Sequence, residues 1–249
     1  MKKKLLDVKN VCKIFTRKKS DYGLKDVILH TFHYFWEKHR AKKFIALQNI
    51  SFQLCSGESI AILGANGAGK STLLSLLAGI IKPSSGDIII DGQIGLMLEL
   101  GSGFSHDLSG RENIYLNGLL LGAKKSYLDQ EIDSIIDFSG VRDFIDEPLR
   151  SYSTGMQSRL GFAIAVHIKP DILLIDEVLA VGDSEFRRKC YEKLQEMKKT
   201  DVGIILVTHS LHDALQFCDR AIYLEKGNIR FHGKCNEVVD AIRENNCEY

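Results

Sequence analysis

Ser59-Ile60-Ala61-Ile62-Leu63-Gly64-Ala65-Asn66-Gly67-Ala68-Gly69-Lys70-Ser71-Thr72 is the stretch whose reading decides the fold. Its first five residues form a short apolar strand running into glycine, and Ser71 to Ile81 reads as the helix that follows. Between them, Gly64 to Ser71 matches G-x-x-x-x-G-K-[ST], set between strand and helix as phosphate binding requires. The glycines let the backbone wrap closely, so that successive N–H groups and the helix N-terminus point at phosphate oxygens. Lys70 then supplies a point charge to the β- and γ-phosphates of a nucleotide, and the Ser71 hydroxyl is placed to bind Mg²⁺.

Further along, Ile172-Leu173-Leu174-Ile175-Asp176-Glu177 is an apolar strand ending in two acids. Burial of such a strand puts Asp176 at its carboxyl end, beside the phosphate loop, as a ligand for Mg²⁺ directly or through water. Glu177 is the expected general base for the attacking water. Further strands are expected at Asp87 to Ile90, Gly203 to Val207 and Ala221 to Leu224, separated by helical patterns. That alternation predicts an α/β domain with a largely parallel sheet. From about Arg111 to Phe144 the apolar spacing turns helical, with Ile132, Ile135, Ile136 and Phe138, which reads as a helical insertion.

Composition bounds the rest. Of 249 residues 45% are hydrophobic and 26% charged, which excludes disorder and a disulfide-stapled miniprotein. Cys12, Cys55, Cys190, Cys218, Cys235 and Cys247 are far apart and form no CxxC pair, so they are expected to be ordinary thiols in a reducing compartment. No apolar run reaches the length of a membrane span, and Met-Lys-Lys-Lys does not open a signal peptide. The net charge of +1 hides an asymmetry, because residues 1–48 hold 13 Lys/Arg against 4 Asp/Glu. Such a block suits an anionic membrane surface, nucleic acid, or plain solvent. Within it, Leu24, Val27, Ile28, Phe32 and Phe35 recur at helical spacing, with Trp36 at the end and Lys38, His39, Arg40, Lys42 and Lys43 after it. An aromatic stripe with a basic end suits a membrane interface, a partner's groove, or packing on its own domain.

Ser151-Tyr152-Ser153-Thr154-Gly155-Met156-Gln157 precedes a helix expected to begin near Ser158, and Ser153 lies 23 residues before Asp176. Its serine, glycine and helix N-terminus form a second phosphate-cradling device. In this order and position the chain resembles the ATP-binding cassette (ABC) ATPases, with Ser151 to Gln157 as their signature motif. Val181-Gly182-Asp183 resembles the D-loop, and Val207-Thr208-His209-Ser210 the switch histidine. The resemblance covers roughly residues 5–235 and implies a P-loop NTPase domain of ABC type, with a helical subdomain. It implies a subunit that dimerises head to tail around two ATP molecules. Each ATP would touch the loop Gly64, Ala65, Asn66, Gly67, Ala68, Gly69, Lys70, Ser71 and Thr72 of one chain, and Ser153 and Gly155 of the other, near Asp183 of the D-loop. His209 is implied as catalytic beside Lys70 and Glu177. The family stacks an aromatic on adenine after its first strand, where Phe15 fits best and Phe44 second. Two departures stand out. Thr154 replaces the usual glycine of the signature, and Glu99, in Leu98-Glu99-Leu100-Gly101, stands where a glutamine normally reaches Mg²⁺ and the water, in a register fixed to within one or two residues.

Leu98 to Phe104, Ser109 to Gly118, Tyr152 to Met156 and Glu177 to Asp183 resemble the ATPase subunits of bacterial polysaccharide exporters. That resemblance implies a peripheral subunit on the cytoplasmic face of the inner membrane, paired with a membrane permease subunit, two copies expected. Segment 24–43 takes the place of the gate-helix insertion that O-antigen exporters carry, and its basic residues are expected to attract the pyrophosphate of an undecaprenyl-linked polysaccharide. Teichoic acid and capsule exporters share the motifs. An ABC ATPase acting on DNA or ribosomes would use the basic arm differently, but its coiled coil or second cassette is not present, so no nucleic acid is expected. The expected organisation is 1–48, the first strand and gate-helix segment; 49–98, the first part of the ATP-binding core; 99–157, the Q-loop, helical subdomain and signature; 158–233, the second part of the core; and 234–249, a C-terminal helix. With one short helix expected after Gly233, reading of the cargo's end group is not assigned to this chain.

Overall fold

The computed structural model describes residues 2–17, 42–97, 103–176 and 183–245. Within them the strands in chain order are β1 (Lys4–Arg17), β2 (Lys42–Cys55), β3 (Ser59–Leu63), β4 (Ser85–Ile90), β5 (Ile94–Met97), β6 (Ile172–Asp176), β7 (Gly203–Val207), β8 (Arg220–Glu225) and β9 (Asn228–Lys234). The helices are α1 (Lys70–Leu77), α2 (Gly110–Leu120), α3 (Lys125–Ser139), α4 (Thr154–His167), α5 (Ser184–Lys199), α6 (Leu211–Phe217) and α7 (Cys235–Glu244).

The expected parallel sheet is present, in the order β5-β6-β7-β3-β8-β9, and only β9 runs antiparallel to its neighbour. β3 lies between β7 and β8, and every one of its residues is buried. Strand alternation sends its side chains to two different cores. Ala61 and Leu63 join Leu173, Ile175, Phe162, Phe186 and Leu194 on one face. Ile60 and Ile62 join Leu174, Ile205, Leu73 and Leu77 on the other. Each fully buried aliphatic side chain contributes about 1.5–3 kcal/mol, so the strand that ends in the phosphate loop is held from both sides. Its one polar residue, Ser59, is also satisfied. Its hydroxyl donates to Asp219 Oδ2 at 2.8 Å and accepts the Asp219 N–H at 3.0 Å. Partial burial pushes the Asp219 carboxyl up, but hydrogen bonds from Ser59 and the Lys198 ammonium outweigh it and hold it below the ordinary range.

A second sheet, β2-β1-β4, is antiparallel and lies over the face that carries α1. Asp87 to Ile90 is therefore a strand as expected, but not of the parallel sheet. It pairs with β1, Leu6 opposite Ile90, on an edge that leaves Ile89 and Ile90 exposed. An apolar run alone does not say which sheet a strand joins. β2 runs unbroken across residue 48, so a strand rather than a linker joins the first segment to the core. Lys42 and Lys43, the end of the expected gate-helix segment, belong to that strand, and residues 24–41 of the segment lie outside the described residues.

The helical insertion forms as expected. α2 opens on a capping box, Ser109 with Glu112, and α3, α4 and Leu149 close a third core with Ile114, Leu128, Ile136 and Leu160. α4 begins four residues earlier than expected, because Ser153 caps it and brings the signature residues into its first turn. Phe162 of this helix enters the main core while Leu160 and Ile164 enter the helical one, so α4 is apolar nearly all round and joins the two bodies. α1 also stops early, at Leu77, where Gly79 takes a left-handed conformation. No helix among the described residues is long and apolar enough to cross a membrane.

Candidate functional site

Gly64 to Ser71 leaves the buried end of β3 and curls into α1. Gly69 carries the strictest demand. Its φ is 110°, and a Cβ there would lie 2.7 Å from Leu47 Cδ2 and 2.9 Å from the Ala46 carbonyl oxygen. No side chain fits between the loop and β2. The loop is also tied from below, since Ala68 O accepts the Gly227 N–H at 3.0 Å and Gly227 O accepts the Gln48 N–H at 2.8 Å. This support from the β8–β9 turn has no motif of its own and is invisible in the sequence. Lys70 is buried, with its ammonium donating to the carbonyls of Gly64 at 2.5 Å and Ala65 at 3.1 Å.

A cleft of about 540 Å³ opens over this loop. Asn66, Gly67, Gly69, Lys70, Ser71 and Thr72 form its floor, and Asp176 and Val207 one wall. Gly64 and Ala68 are buried beneath the loop and Ala65 lies partly under it, so these three shape the cleft without lining it. The parallel register explains the wall. Asp176 is level with Val207, and Val207 with Ile62, so three adjacent strands deliver acid, switch and phosphate loop to one carboxyl edge. His209 follows two residues after Val207, exposed, beyond a buried Thr208 whose N–H donates to Ile62 O at 3.3 Å. Glu99 and Glu177 lie outside the described residues.

Phe44 and Ala46 of β2 form the remaining wall. The aromatic in the cleft is therefore Phe44, the second of the two candidates. Phe15 is its cross-strand partner and stands outside the lining, with the Lys13 ammonium 5.1 Å from its ring centre. Paired across the ladder, the two rings share one face of the sheet, and it is β2, packed on the loop through Ala46 and Leu47, that brings Phe44 into the lining.

Ser153 and Gly155 also lie outside the cleft lining. Ser153 caps α4, its Oγ accepting the Met156 N–H at 3.2 Å, and Ser153, Thr154 and Gly155 are all exposed. A Cβ on Gly155 would meet only Ser153 Oγ, at 3.8 Å. Beneath them the turn is pinned by Gln157, which donates to Leu149 O at 3.2 Å, and by Tyr152, whose hydroxyl donates to Phe144 O at 2.6 Å. Burial pushes the Tyr152 phenol up to about 12, which keeps it a donor. Asp183 caps α5 through the Phe186 N–H at 2.9 Å, and that bond lowers its carboxyl below the ordinary range.

The site's chemistry is thus divided. One cleft offers backbone donors, a cation, a hydroxyl and a carboxylate, and a separate helix N-terminus faces outward with its glycine uncovered.

Comparison with known proteins places the chain in a family. Residues 47–180 match the family profile described as ABC transporter. The chain is 44% identical over 222 residues to the O-antigen export system ATP-binding protein RfbB of Klebsiella pneumoniae, covering 89% of this chain and 90% of that one. It is 42% identical over 208 residues to the teichoic acids export ATP-binding protein TagH of Listeria monocytogenes, covering 84% of this chain and 62% of that one. The dimeric post-hydrolysis structure of the ATP-binding cassette MJ0796, bound to ADP and Pi, superposes with a TM-score of 0.73 at 21% identity, covering 93% and 99% of the two chains, and shows the fold. With a profile over more than half its length and a relative matched almost end to end, this chain belongs to the ABC transporter family.

Proposed function

We propose that the chain is the ATPase subunit of an exporter. It hydrolyses ATP as a head-to-tail homodimer and drives an undecaprenyl-diphosphate-linked polysaccharide of the O-antigen class across the membrane. The path itself belongs to a separate integral permease subunit, two copies per complex, and the ATPase sits peripherally on the cytoplasmic face of the bacterial inner membrane. The observation that carries this reading is the division of the site. The phosphate loop shares a cleft with Asp176, while Ser153 and Gly155 stand exposed at a helix end outside it. A second copy turned head to tail supplies that helix end to the open side of the phosphate.

Each side chain then has a task. The loop N–H groups and the Lys70 ammonium hold the β- and γ-phosphates, and Phe44 offers its ring to adenine with Phe15 beside it. Glu177 takes the proton of the attacking water, and His209 orients the γ-phosphate. Asp183, fixed at the head of α5, faces the partner chain. Ser71 and Asp176 are hard oxygen donors in one cleft and fit Mg²⁺, with Glu99 as the third expected ligand. The metal supplies neutralisation of phosphate charge. Loss of the shared γ-phosphate contacts opens the dimer, which turns chemistry into motion.

Export of teichoic acid is a second reading, favoured by the Listeria similarity. One experiment separates the two. Tagged Glu177→Gln chain is recovered from native membranes in ATP, and copurifying proteins and glycans are identified by mass spectrometry. A polytopic membrane protein with an undecaprenyl-linked O-polysaccharide is the expected result. A teichoic acid polymer selects the second reading, and ribosomes or DNA overturn both.

A further inference from the structure

The turn that carries His209 is held by a contact the phosphate site does not require. Ser210 caps α6, its Oγ accepting the Asp213 N–H at 3.2 Å. Asp213 stands at the third helical position, from which an acid ordinarily folds back onto the N–H of the cap. Here the Ser210 N–H donates instead to Thr208 Oγ1 at 3.0 Å. The Asp213 carboxylate reaches away from its own helix and accepts the Tyr191 hydroxyl at 2.7 Å. Tyr191 is on α5, eight residues after the Asp183 cap, or about 12 Å along the axis. Its ring packs against the main core, and burial together with the neighbouring carboxylate raises the phenol, so it stays a neutral donor.

We propose that Tyr191 is a positioning residue for ATP hydrolysis, which through Asp213 holds the turn bearing His209 in fixed register with the helix headed by Asp183. This rests on the reading of His209 as the γ-phosphate switch. A hydroxyl donating to a carboxylate is a short, charge-assisted bond, and the elements it joins are the ones that follow β6 and β7. The turn cannot tilt without breaking that bond or drawing α5 along. The residue that senses one nucleotide and the helix that faces the partner are thereby mechanically linked.

The test measures steady-state ATP turnover of the full chain as it purifies from membranes, with melting temperature as a folding control. Tyr191→Phe keeps the ring and loses the bond, and is expected to lower kcat about five- to tenfold with KM for ATP within about twofold. Asp213→Asn retains an oxygen acceptor and is expected to keep at least about half of the turnover, whereas Asp213→Ala falls as far as Tyr191→Phe. In a His209→Ala background, adding Tyr191→Phe is expected to change kcat less than about twofold, because the two act through one group. Unchanged kcat in Tyr191→Phe, beside a slow His209→Ala, overturns the proposal. So does a full additional loss in the double variant, which would place the effect in the fold at large. Normal turnover by His209→Ala overturns the reading of His209 itself, and this proposal falls with it.

Discussion

The phosphate loop and the signature turn are both glycine-bearing helix N-termini, yet they are built in opposite ways. Around Gly69 the chain packs so closely that a Cβ would overlap Leu47 and the Ala46 carbonyl, and the loop is tied to the β8–β9 turn beneath it. Around Gly155 there is open space, and Ser153 and Thr154 before it are exposed. The first region is completed by its own chain, and its glycine serves the fold as well as the ligand. The second is held from below by Tyr152 and Gln157, and its upper face is exposed. Glycine thus has a structural cause at Gly69, whereas at Gly155 the fold itself leaves room for a side chain.

The comparison breaks most sharply at Lys70. Lys70→Ala removes the loop's cation and is expected to weaken ATP binding more than about 100-fold, read by fluorescent nucleotide titration. Normal affinity would refute the phosphate-loop assignment. Next come the two glycines as a pair. Gly69→Ala places a strained left-handed residue against β2 and is expected to cost about 2–4 kcal/mol, lowering the melting temperature by roughly 5–15 °C. Gly155→Ala sits in a helix with room for a methyl group, so its melting temperature holds or rises by a few degrees. Its turnover is nevertheless expected to fall, because the proposed head-to-tail pairing brings the partner's phosphate onto that surface. Equal thermal losses in both variants would erase the distinction. Ser153→Arg tests the same division from the exposed side. Nucleotide titration of the isolated chain should match the unmodified protein, while ATP turnover falls at least tenfold, about 1.4 kcal/mol in the barrier. Fast turnover there would count against a head-to-tail pair. The smallest effect is expected for Thr154→Gly, which restores the usual family residue at an exposed first helical position. Stability should drop by under about 0.5 kcal/mol, with turnover changed less than about threefold.

How much was legible follows the same line. The phosphate loop, Asp176 and the buried strands ahead of them could be read because the fold and the ligand impose their demands on consecutive residues. Glycine spacing, an apolar run and a terminal acid are local signals. The adenine-side aromatic was less legible. Phe15 and Phe44 are both exposed phenylalanines near strand ends, and only the packing of β2 on the phosphate loop, through Ala46 and Leu47, shows which one lines the cleft. β4 misled for a related reason, since its isoleucines look like a buried strand and lie instead on an edge. The start of α4 was displaced because apolar periodicity begins after the cap, whereas Ser153 makes its bond before it.

By itself, then, the sequence determined that there is a phosphate loop, an acid-tipped strand and a second helix N-terminus, because each is written in neighbouring residues. Only the tertiary structure decided that Asp176, Val207 and Ile62 stand level at one sheet edge and that Gly69 lies under β2. It likewise decided that Asp213 turns from its own helix cap to Tyr191. Register and packing bring together residues far apart in the chain, and no local pattern encodes a contact whose two halves are chosen by different strands and helices.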